Sequence, residues 1–217
     1  MNYQIELEKI ILNIEKNKSD ENYRKPKLLL HSCCAPCSSY CLSYLAPIFD
    51  ITVFYYNPNI NIIEEYKRRV SEQTRFIKAL CADMNVDIQF AEGQYDVEAF
   101  QSAIKGYENA GEGSIRCQKC FELRLNESAK YAKEHGFDFF TTTLTISPLK
   151  NAHVLNETGQ KAAEAYGSVF LPSDFKKKEG YKKSIELSAK YDLYRQDYCG
   201  CIYSKIEMEK RRNEKVD

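Results

Sequence analysis

Short apolar runs alternate with amphipathic stretches along most of the chain. Short, nearly continuous apolar segments are typical of strands buried inside a parallel sheet. The runs predict five strands: Lys27 to Ser32, Ile51 to Tyr56, Val86 to Phe90, Phe137 to Leu144 and Val169 to Leu171. Because strands and helices alternate, the pattern predicts a parallel sheet with right-handed crossover connections, which is the arrangement of an α/β fold.

The stretches between these runs have apolar residues at helical spacing. They predict seven helices: Ser38 to Leu45, Ile62 to Met84, Tyr95 to Lys105, Cys117 to Glu134, Val154 to Tyr166, Lys176 to Tyr191 and Ile202 to Asn213. A further amphipathic helix is predicted from Met1 to Lys16, followed by a polar linker. We therefore expect one α/β domain over residues 1–217, with an N-terminal helical extension and linker at 1–25 and a core at 27–204.

Composition and charge narrow the class of protein. Of the 217 residues 43% are hydrophobic and 12% aromatic, which is enough to bury a sizeable core. The formal net charge is zero, so a polyanionic partner has to bind a local patch. The N-terminus lacks the apolar run of a signal peptide, and no window has the about 18 consecutive apolar residues of a membrane span. We expect a cytoplasmic protein without membrane contact.

Nine cysteines are an informative number for such a protein. The cytosol keeps ordinary thiols reduced, so clustered cysteines there indicate metal binding or redox chemistry and not a structural disulfide framework. Cys41 and Cys81 lie among the apolar positions of predicted helices, and we expect both to pack in the core. Seven remain as candidate functional residues: Cys33, Cys34, Cys37, Cys117, Cys120, Cys199 and Cys201.

Two of these groups have the spacing of metal ligands. Cys33 and Cys34 follow the first predicted strand, at the sheet edge where α/β proteins bind ligands, and the next two residues, Ala-Pro, predict a turn. Cys117 and Cys120 open a predicted helix in a Cys-x-x-Cys motif. The four thiols could bind zinc or an iron–sulfur cluster. Adjacent cysteines are unusual in zinc pairs, which favours the cluster.

The remaining thiols leave more than one interpretation. Cys199 and Cys201 could form a disulfide only across a tight loop, which Gly200 permits, and such a strained bond suits a pair that cycles between oxidised and reduced forms. They could instead be further metal ligands. Cys37 is a candidate ligand beside the cluster, a ligand of a second metal ion, or a helix N-terminal thiol without catalytic use.

A basic segment is the strongest candidate for contact with nucleic acid. Lys176, Lys177 and Lys178 lie near Tyr181 in the sequence. Such a run is either a solvated face or a patch that contacts phosphates while the aromatic ring stacks on a base, as in recognition of RNA loops. Other basic residues border the cysteine motifs: Arg68, Arg69, Arg116, Lys119, Arg124, Lys150 and Arg195.

The motifs are more specific in combination. The chain contains His-Ser-Cys-Cys-Ala-Pro-Cys-Ser at 31–38, Arg-Cys-x-x-Cys at 116–120, Thr-Thr-Thr-Leu-x-x-Ser-Pro-x-Lys at 141–150 and Tyr-Arg-Gln-x-Tyr-Cys-Gly-Cys at 194–201. Together they closely resemble the QueH-type epoxyqueuosine reductases, from about Lys27 to Ser204. The resemblance implies a three-layer, Rossmann-like sheet similar to the adenine-nucleotide hydrolase group, with cysteines in place of the glycine-rich phosphate loop and with helical additions.

The resemblance also implies an activity and the residues that perform it. The family removes the epoxide oxygen from a modified base at the wobble position of tRNA, a reduction that needs an electron donor. By position, Cys33, Cys34, Cys117 and Cys120 would hold a 4Fe-4S cluster. Cys199 and Cys201 would form a redox-active disulfide.

The reaction requires two electrons and two protons. A single cluster transfers one electron at a time, whereas a dithiol stores two. We therefore expect the cluster and the Cys199/Cys201 pair to act together, with Cys37 as a candidate ligand of an additional iron. Asp197, Tyr198 or a second metal could assist departure of the oxygen. Two other classes stay open: a zinc-binding RNA module without redox catalysis, and a thiol–disulfide oxidoreductase that acts on proteins.

Overall fold

The computed structural model describes residues 2–214, so Met1 of the predicted N-terminal helix and residues 215–217 of the expected domain lie outside the described residues. Four strands form one sheet: β1 (Lys27–His31), β2 (Asp50–Tyr55), β3 (Ile88–Glu92) and β4 (Phe139–Thr142). Their order is β3-β2-β1-β4, and all three pairings are parallel. The predicted α/β fold with a parallel sheet is confirmed.

Helices connect and cover the strands. They are α1 (Tyr3–Lys16), α2 (Ala35–Leu45), α3 (Ile63–Met84), α4 (Val97–Ala103), α5 (Ile115–Glu134), α6 (Ala152–Tyr166), α7 (Gly180–Lys190) and α8 (Ile202–Asn213). Two short 3-10 helices span Asn17–Ser19 and Thr143–Ile146. Within residues 2–214 no helix has the length and apolar character needed to cross a membrane.

The sheet separates two hydrophobic cores. Successive strand residues point to opposite faces, so Leu28 and Leu30 of β1 enter one core and Leu29 enters the other. The first core is completed by α1, α2 and α3, and the second by α5 and α6. This arrangement of helices on both faces confirms the predicted three layers.

The N-terminal helix packs into the first core. Leu7, Ile11 and Ile14 lie on one face of α1 at helical spacing and are all buried there. Arg24, in the segment after α1, donates two hydrogen bonds to the carboxylate of Asp138 at the start of β4, at 2.6 and 2.7 Å. The N-terminal extension is therefore packed against the first core and held to the start of β4.

Two element boundaries differ from the sequence-based predictions near the site. Helix α2 begins at Ala35, so the Ala-Pro dipeptide opens a helix and does not form a separate turn. Proline is tolerated there because the first helical N–H groups have no partner within the helix. Cys34 precedes this helix in extended backbone. Strand β4 ends at Thr142, whose hydroxyl accepts a hydrogen bond from the Leu144 N–H and starts a 3-10 turn.

Two further predictions on the C-terminal side were wrong. The segment Val169 to Leu171 contributes only an isolated parallel bridge, between Phe170 and Phe140, because Gly167 with a φ of 66° precedes it and Pro172 follows. Helix α7 begins at Gly180 and not at Lys176, since Lys178 and Glu179 both have positive φ angles and interrupt the helix.

Candidate active site

Three thiols meet where β1 ends. β1 delivers Cys33 and Cys34 to the carboxyl edge of the sheet, and the first turn of α2 brings Cys37 back towards them. The three sulfur atoms all lie within 4.8 Å of one another, and those of Cys33 and Cys34 are 3.8 Å apart. Among residues 2–214 this is the one group of three or more His, Cys, Asp or Glu side chains spaced to hold a metal ion. All nine cysteines are free thiols.

The three thiols of this group differ in how readily each loses its proton. Hydrogen bonds from the thiols of Cys34 and Cys37 hold the pKa of Cys33 well below its usual value, with help from the cations of Arg124 and Lys150. The same contact with Cys33 raises the pKa of Cys34 to about 12 and raises that of Cys37. Cys33 is therefore the most acidic thiol of the group.

The second pair of thiols is on α5. Cys117 and Cys120 lie in the first two turns of this helix, and the Cys117 sulfur accepts a hydrogen bond from the Gly113 N–H at 3.2 Å. The Cys120 sulfur is buried, 4.0 Å from Nη1 of Arg124. Burial raises the pKa of Cys120 to about 12 and also raises that of Cys117, so both are protonated thiols without metal.

The third pair lies in a tight loop before α8. Cys199 and Cys201 line a cavity of about 100 Å³ together with Cys117 and Cys120. Gly200 between them has a φ of 136°, and a Cβ at this position would come within 2.9 Å of the Ile60 side chain. Only glycine combines this backbone with this close approach. Cys199 and Cys201 thus border the same cavity as Cys117 and Cys120 on α5.

A buried arginine fixes this loop. Arg69 on α3 is 1% exposed, and its Nη1 donates to the Cys199 carbonyl oxygen at 3.0 Å. Its Nη2 donates to the Tyr198 carbonyl oxygen at 3.4 Å, while Nε is paired with Glu65 at 2.7 Å. The sequence analysis named Arg69 among the basic residues near the cysteine motifs and assigned it no role. Its role depends on contacts with residues about 130 positions away, which no local pattern indicates.

A second cavity borders two of the three groups of cysteines. It has a volume of about 330 Å³ and is lined by Cys33, Cys37 and Cys199, so that Cys199 borders both cavities. Lys150 also lines both. Burial acts to lower the pKa of Lys150, but the sulfur atoms of Cys199 and Cys33 outweigh it, and the pKa is raised. Six of the seven candidate cysteines thus line the two cavities, and the sulfur of the seventh, Cys34, lies 3.8 Å from that of Cys33 and accepts a hydrogen bond from Gln196.

The residues fit an anionic, sulfur-bound group. Arg124 is 1% exposed, and in the described part of the chain no carboxylate pairs with it. Its partners are Nε2 of His31 at 3.2 Å, the Asn57 side-chain oxygen and the Cys120 sulfur. Burial and the nearby Arg124 lower the pKa of His31 to about 3, so this ring is neutral. A buried cation without a carboxylate requires another source of negative charge, which metal-bound thiolates would provide.

Of the four residues predicted to contact nucleic acid, only Tyr181 lies at the sulfur-containing cavities. Lys176 pairs with Asp174 at 2.9 Å and Lys178 pairs with Glu8, and neither lines the two sulfur-containing cavities. Lys177 also lies outside them. Tyr181, in contrast, lines the 330 Å³ cavity. The basic residues that border this cavity are Lys150, Arg195 and Arg211.

The two proposed proton donors both line the larger cavity. Asp197 is exposed and paired with Arg212 at 2.7 Å. Tyr198 is half-buried, and burial raises the pKa of its hydroxyl, so it keeps its proton at neutral pH. Leu149 lies at the mouth of both cavities and is 72% exposed.

Comparison with known proteins places the chain in a family. The family model described as epoxyqueuosine reductase QueH matches residues 28–207. The epoxyqueuosine reductase QueH of Staphylococcus epidermidis is 41% identical over 209 residues, covering 95% of this chain and 86% of that protein. Its counterpart from Streptococcus pyogenes serotype M1 is 41% identical over 203 residues, covering 94% and 79%.

A solved structure, the U34-tRNA thiolase NcsA from Methanococcus maripaludis with its 4Fe-4S cluster, aligns with 97% of this chain and 73% of its own. The TM-score is 0.49 and the identity 10%, too low to assign a ligand. The family match is different in kind, because residues 28–207 include β2, β3, β4 and all seven candidate cysteines, and the two named relatives are each 41% identical to this chain. The chain therefore belongs to the epoxyqueuosine reductase QueH family.

Proposed function

We propose that this chain is an iron–sulfur reductase that converts epoxyqueuosine to queuosine at the wobble position of tRNA. The observation that carries this proposal is the convergence of three remote cysteine groups on two adjoining cavities, with Cys199 bordering both. Removing an epoxide oxygen to leave an alkene takes two electrons and two protons, and the oxygen departs as water. A region lined by many thiols is suited to such a reduction.

The proposed cofactor is a 4Fe-4S cluster held by Cys33, Cys34, Cys117 and Cys120. Thiolates are the ligands such clusters use, and the buried Arg124 supplies positive charge beside two of these sulfur atoms. When bound, the cluster supplies electrons one at a time. Cys37 is within 4.8 Å of Cys33 and Cys34 and would be free to bind an additional iron.

The Cys199/Cys201 pair is the proposed two-electron store. Oxidation of this dithiol to a disulfide releases two electrons and two protons, which balances reduction of one epoxide to an alkene and water. Arg69 holds the loop through the Cys199 carbonyl, and Gly200 leaves the space that the turn requires. A reductant of the cytoplasm, the electron donor, would return the disulfide to the dithiol after each turnover.

Tyr198 is the stronger of the two candidate acids. Its hydroxyl is protonated and half-buried at the larger cavity, whereas the carboxylate of Asp197 is exposed and already paired with Arg212. A proton given to the departing oxygen by Tyr198 would be replaced by one of the two protons that the thiols of Cys199 and Cys201 release as they are oxidised, or by one from solvent.

The substrate base would enter the 330 Å³ cavity. Lys150, Arg195 and Arg211 give its rim a positive charge suited to the phosphates of an anticodon loop, and Tyr181 offers an aromatic face to a splayed base. The lysines at 176–178 are paired with acidic residues or lie further out, so we assign them at most an outer contact with the tRNA.

Anaerobic reconstitution with iron and sulfide tests this function. We expect broad visible absorption that bleaches with dithionite, and conversion of epoxyqueuosine-containing tRNA measured by mass spectrometry of its nucleosides. Cys117→Ala should lose the absorption and the activity, and Cys199→Ser should keep the absorption but lose turnover. Cys81→Ser, on α3 away from the site, is the matched control and should behave as wild type.

Three outcomes would contradict the proposal. A colourless zinc protein of full stability would indicate an RNA module without redox chemistry. Absence of salt-dependent binding to the tRNA would favour a thiol–disulfide oxidoreductase that acts on proteins. Full turnover by Cys199→Ser would remove the dithiol from the reaction.

A further inference from the structure

A buried amide on α3 joins the two ends of segment 33–37, which carries three of the thiols. Ser32 and Ser38 flank this segment directly. The Ser32 hydroxyl donates a hydrogen bond to Oε1 of Gln73 at 2.9 Å, and Nε2 of Gln73 donates to the Ser38 hydroxyl oxygen at 2.9 Å. All three side chains are fully buried, so water does not compete for these contacts. One side chain thus closes the segment into a loop.

The direction of these hydrogen bonds follows from the hydrogens available. The Ser38 hydroxyl has one hydrogen, which cannot serve both the Ala35 carbonyl oxygen at 3.0 Å and Oε1 of Gln73 at 3.1 Å. Donation to Ala35 leaves the Ser38 oxygen to accept from Nε2, and leaves Oε1 to accept from Ser32. Each hydroxyl hydrogen then has one acceptor, and the assignment does not depend on the charge of any thiol.

The first anchor of this bridge is rigid and the second is not fixed locally. The N–H of Ser32 donates to a carbonyl oxygen of β2 at 3.0 Å, and its carbonyl oxygen accepts from the Asn57 amide at 2.9 Å. Ser38 lies in the first turn of α2, whose N-cap residue, Cys34, makes no side-chain capping hydrogen bond. Gln73 therefore ties the uncapped start of α2 to the end of the sheet.

The same face of α3 also contacts a second group of cysteines. Arg69 precedes Gln73 by four residues, so the two side chains lie one above the other on the helix. Arg69 donates to the Cys199 carbonyl oxygen, and one turn beyond Gln73 the side chains of Phe76 and Ile77 are buried in the first core. One helix, held against the sheet by its apolar residues, thus contacts the supports of two cysteine groups.

We infer that Gln73 is a positioning residue: its amide holds the thiols of Cys33, Cys34 and Cys37 at the spacing that a metal requires. Their sulfur atoms lie within 4.8 Å of one another. Residues that orient metal ligands typically contribute about 10- to 100-fold to metal affinity, because ligands held in place need not be ordered when the metal binds. The inference rests on the metal-binding role that the proposed function gives to these thiols.

Two substitutions test the bridge. Gln73→Met has similar length but neither donor nor acceptor, so it breaks both contacts, whereas Ser38→Ala removes only the contact with Nε2. Gln4→Met makes the same change as Gln73→Met at a buried position of α1, which is 4% exposed and packs away from the thiols, and is the matched control. Urea unfolding of each metal-free protein establishes that it is folded and how much stability it has lost.

The main measurement is anaerobic titration of the reduced proteins with cobalt(II), followed by sulfur-to-cobalt absorption. A background of Cys117→Ala and Cys120→Ala confines binding to the three thiols, the one suitably spaced group among residues 2–214. We expect Gln73→Met to bind cobalt about tenfold more weakly and Ser38→Ala several-fold more weakly. The double variant should match Gln73→Met, since both residues belong to one bridge. Gln4→Met should lose stability and keep the affinity of the background protein.

Amide hydrogen exchange provides a readout that requires no metal. The Ser38 N–H donates to the Cys34 carbonyl oxygen at 3.1 Å and closes the first turn of α2. We expect this turn to exchange about tenfold faster in Gln73→Met, and also faster in Ser38→Ala, than in the background protein or in Gln4→Met. If Gln73→Met does not fold, Ser38→Ala carries both measurements.

The inference and the proposed function can fail separately. Unchanged cobalt affinity in Gln73→Met and Ser38→Ala would overturn the inference, as would a loss no larger than that of Gln4→Met, because Gln73 would then only pack the core. Absence of cobalt binding by the background protein would overturn it as well. If the affinities fall as expected but the reconstituted wild type does not reduce epoxyqueuosine-containing tRNA, the proposed function alone is wrong.

Discussion

Replacing Arg124 with methionine is expected to leave the stability of the metal-free protein nearly unchanged and to weaken the retention of the cluster in the reconstituted protein. Arg124 is a buried cation whose Nη1 lies 4.0 Å from the Cys120 sulfur, with no carboxylate partner among residues 2–214. Without metal, Cys120 is a neutral thiol, so the substitution removes no ion pair at Cys120 and only weakens the support that Arg124 gives to the lowered pKa of Cys33. With Cys120 bound as a thiolate, two opposite charges face each other in the interior.

The magnitude follows from this distance. At an effective dielectric constant of about 20, unit charges 4.0 Å apart attract by about 4 kcal/mol, equivalent to about a thousandfold in an equilibrium constant. That thousandfold change is an upper limit for the loss in the protein's affinity for the cluster. In the metal-free protein, the unsatisfied Asn57 oxygen costs about 1–3 kcal/mol, and relief of the buried cation offsets it. We expect the metal-free variant to unfold within about 2 kcal/mol of wild type.

The assay compares urea unfolding of the metal-free proteins with chelator-driven loss of visible absorption from the reconstituted ones. Arg124→Met should lose its cluster much faster than wild type. Arg124→Lys keeps the charge without the hydrogen bonds to Asn57 and His31, and should be intermediate. Arg75→Met, on the exposed face of α3, is the control. Equal rates of cluster loss in Arg124→Met and wild type would refute the reasoning, as would a metal-free variant that fails to fold.

Three further substitutions test the packing around Gly180, the ion pair of Asp138 and the exposed Leu149 beside the two cavities. Gly180→Ala would put a Cβ 1.8 Å from a backbone carbonyl oxygen, so we expect a thermal unfolding temperature several degrees lower, whereas Gly111→Ala meets nothing within 4 Å and should be neutral. The hydrogen bond from Arg24 lowers the pKa of Asp138 below 3.8. Because this pair is exposed to solvent, Asp138→Asn should lower the urea midpoint only slightly at pH 7, a difference that disappears as the pH falls through that lowered value. Leu149→Ala should leave stability unchanged and weaken binding of the substrate tRNA several-fold, and equal affinity would make Leu149 an ordinary surface residue.

Much of the fold could be predicted from periodicity because the two central strands, β1 and β2, are largely buried between helices and are therefore apolar and distinct from their flanks. The edge strand β3 is buried only at Ile88, and its predicted bounds were two residues too early. The fifth predicted strand was wrong for the opposite reason. Val169 is 53% exposed, and the segment is too short, between Gly167 and Pro172, to pair beyond one bridge. Local apolar character does not report whether a neighbouring strand is available.

The candidate site could be predicted only in part. The cysteines were identifiable because thiols at close spacing are rare and chemically specific. The environment of Arg124 was not, since His31 ends β1 while Asn57 follows β2, and both meet the α5 residue only once the sheet has formed. The close grouping of Cys37 with Cys33 depends on α2 starting at Ala35, earlier than the residue pattern indicates.

The packing of α1 sets a practical limit on how the protein can be shortened. Leu7, Ile11 and Ile14 are each at most 8% exposed, and burial of such side chains contributes about 1.5–3 kcal/mol apiece, or about 5–9 kcal/mol together. That sum is comparable to the whole free energy of unfolding of an ordinary domain, about 5–15 kcal/mol. The family match begins at residue 28, yet a fragment trimmed to that boundary would lack α1. The apolar side chains of the first core that α1 covers would then be exposed to solvent, and we expect such a fragment to aggregate during expression. Purification tags and fusion partners are therefore better joined ahead of α1 than in place of it.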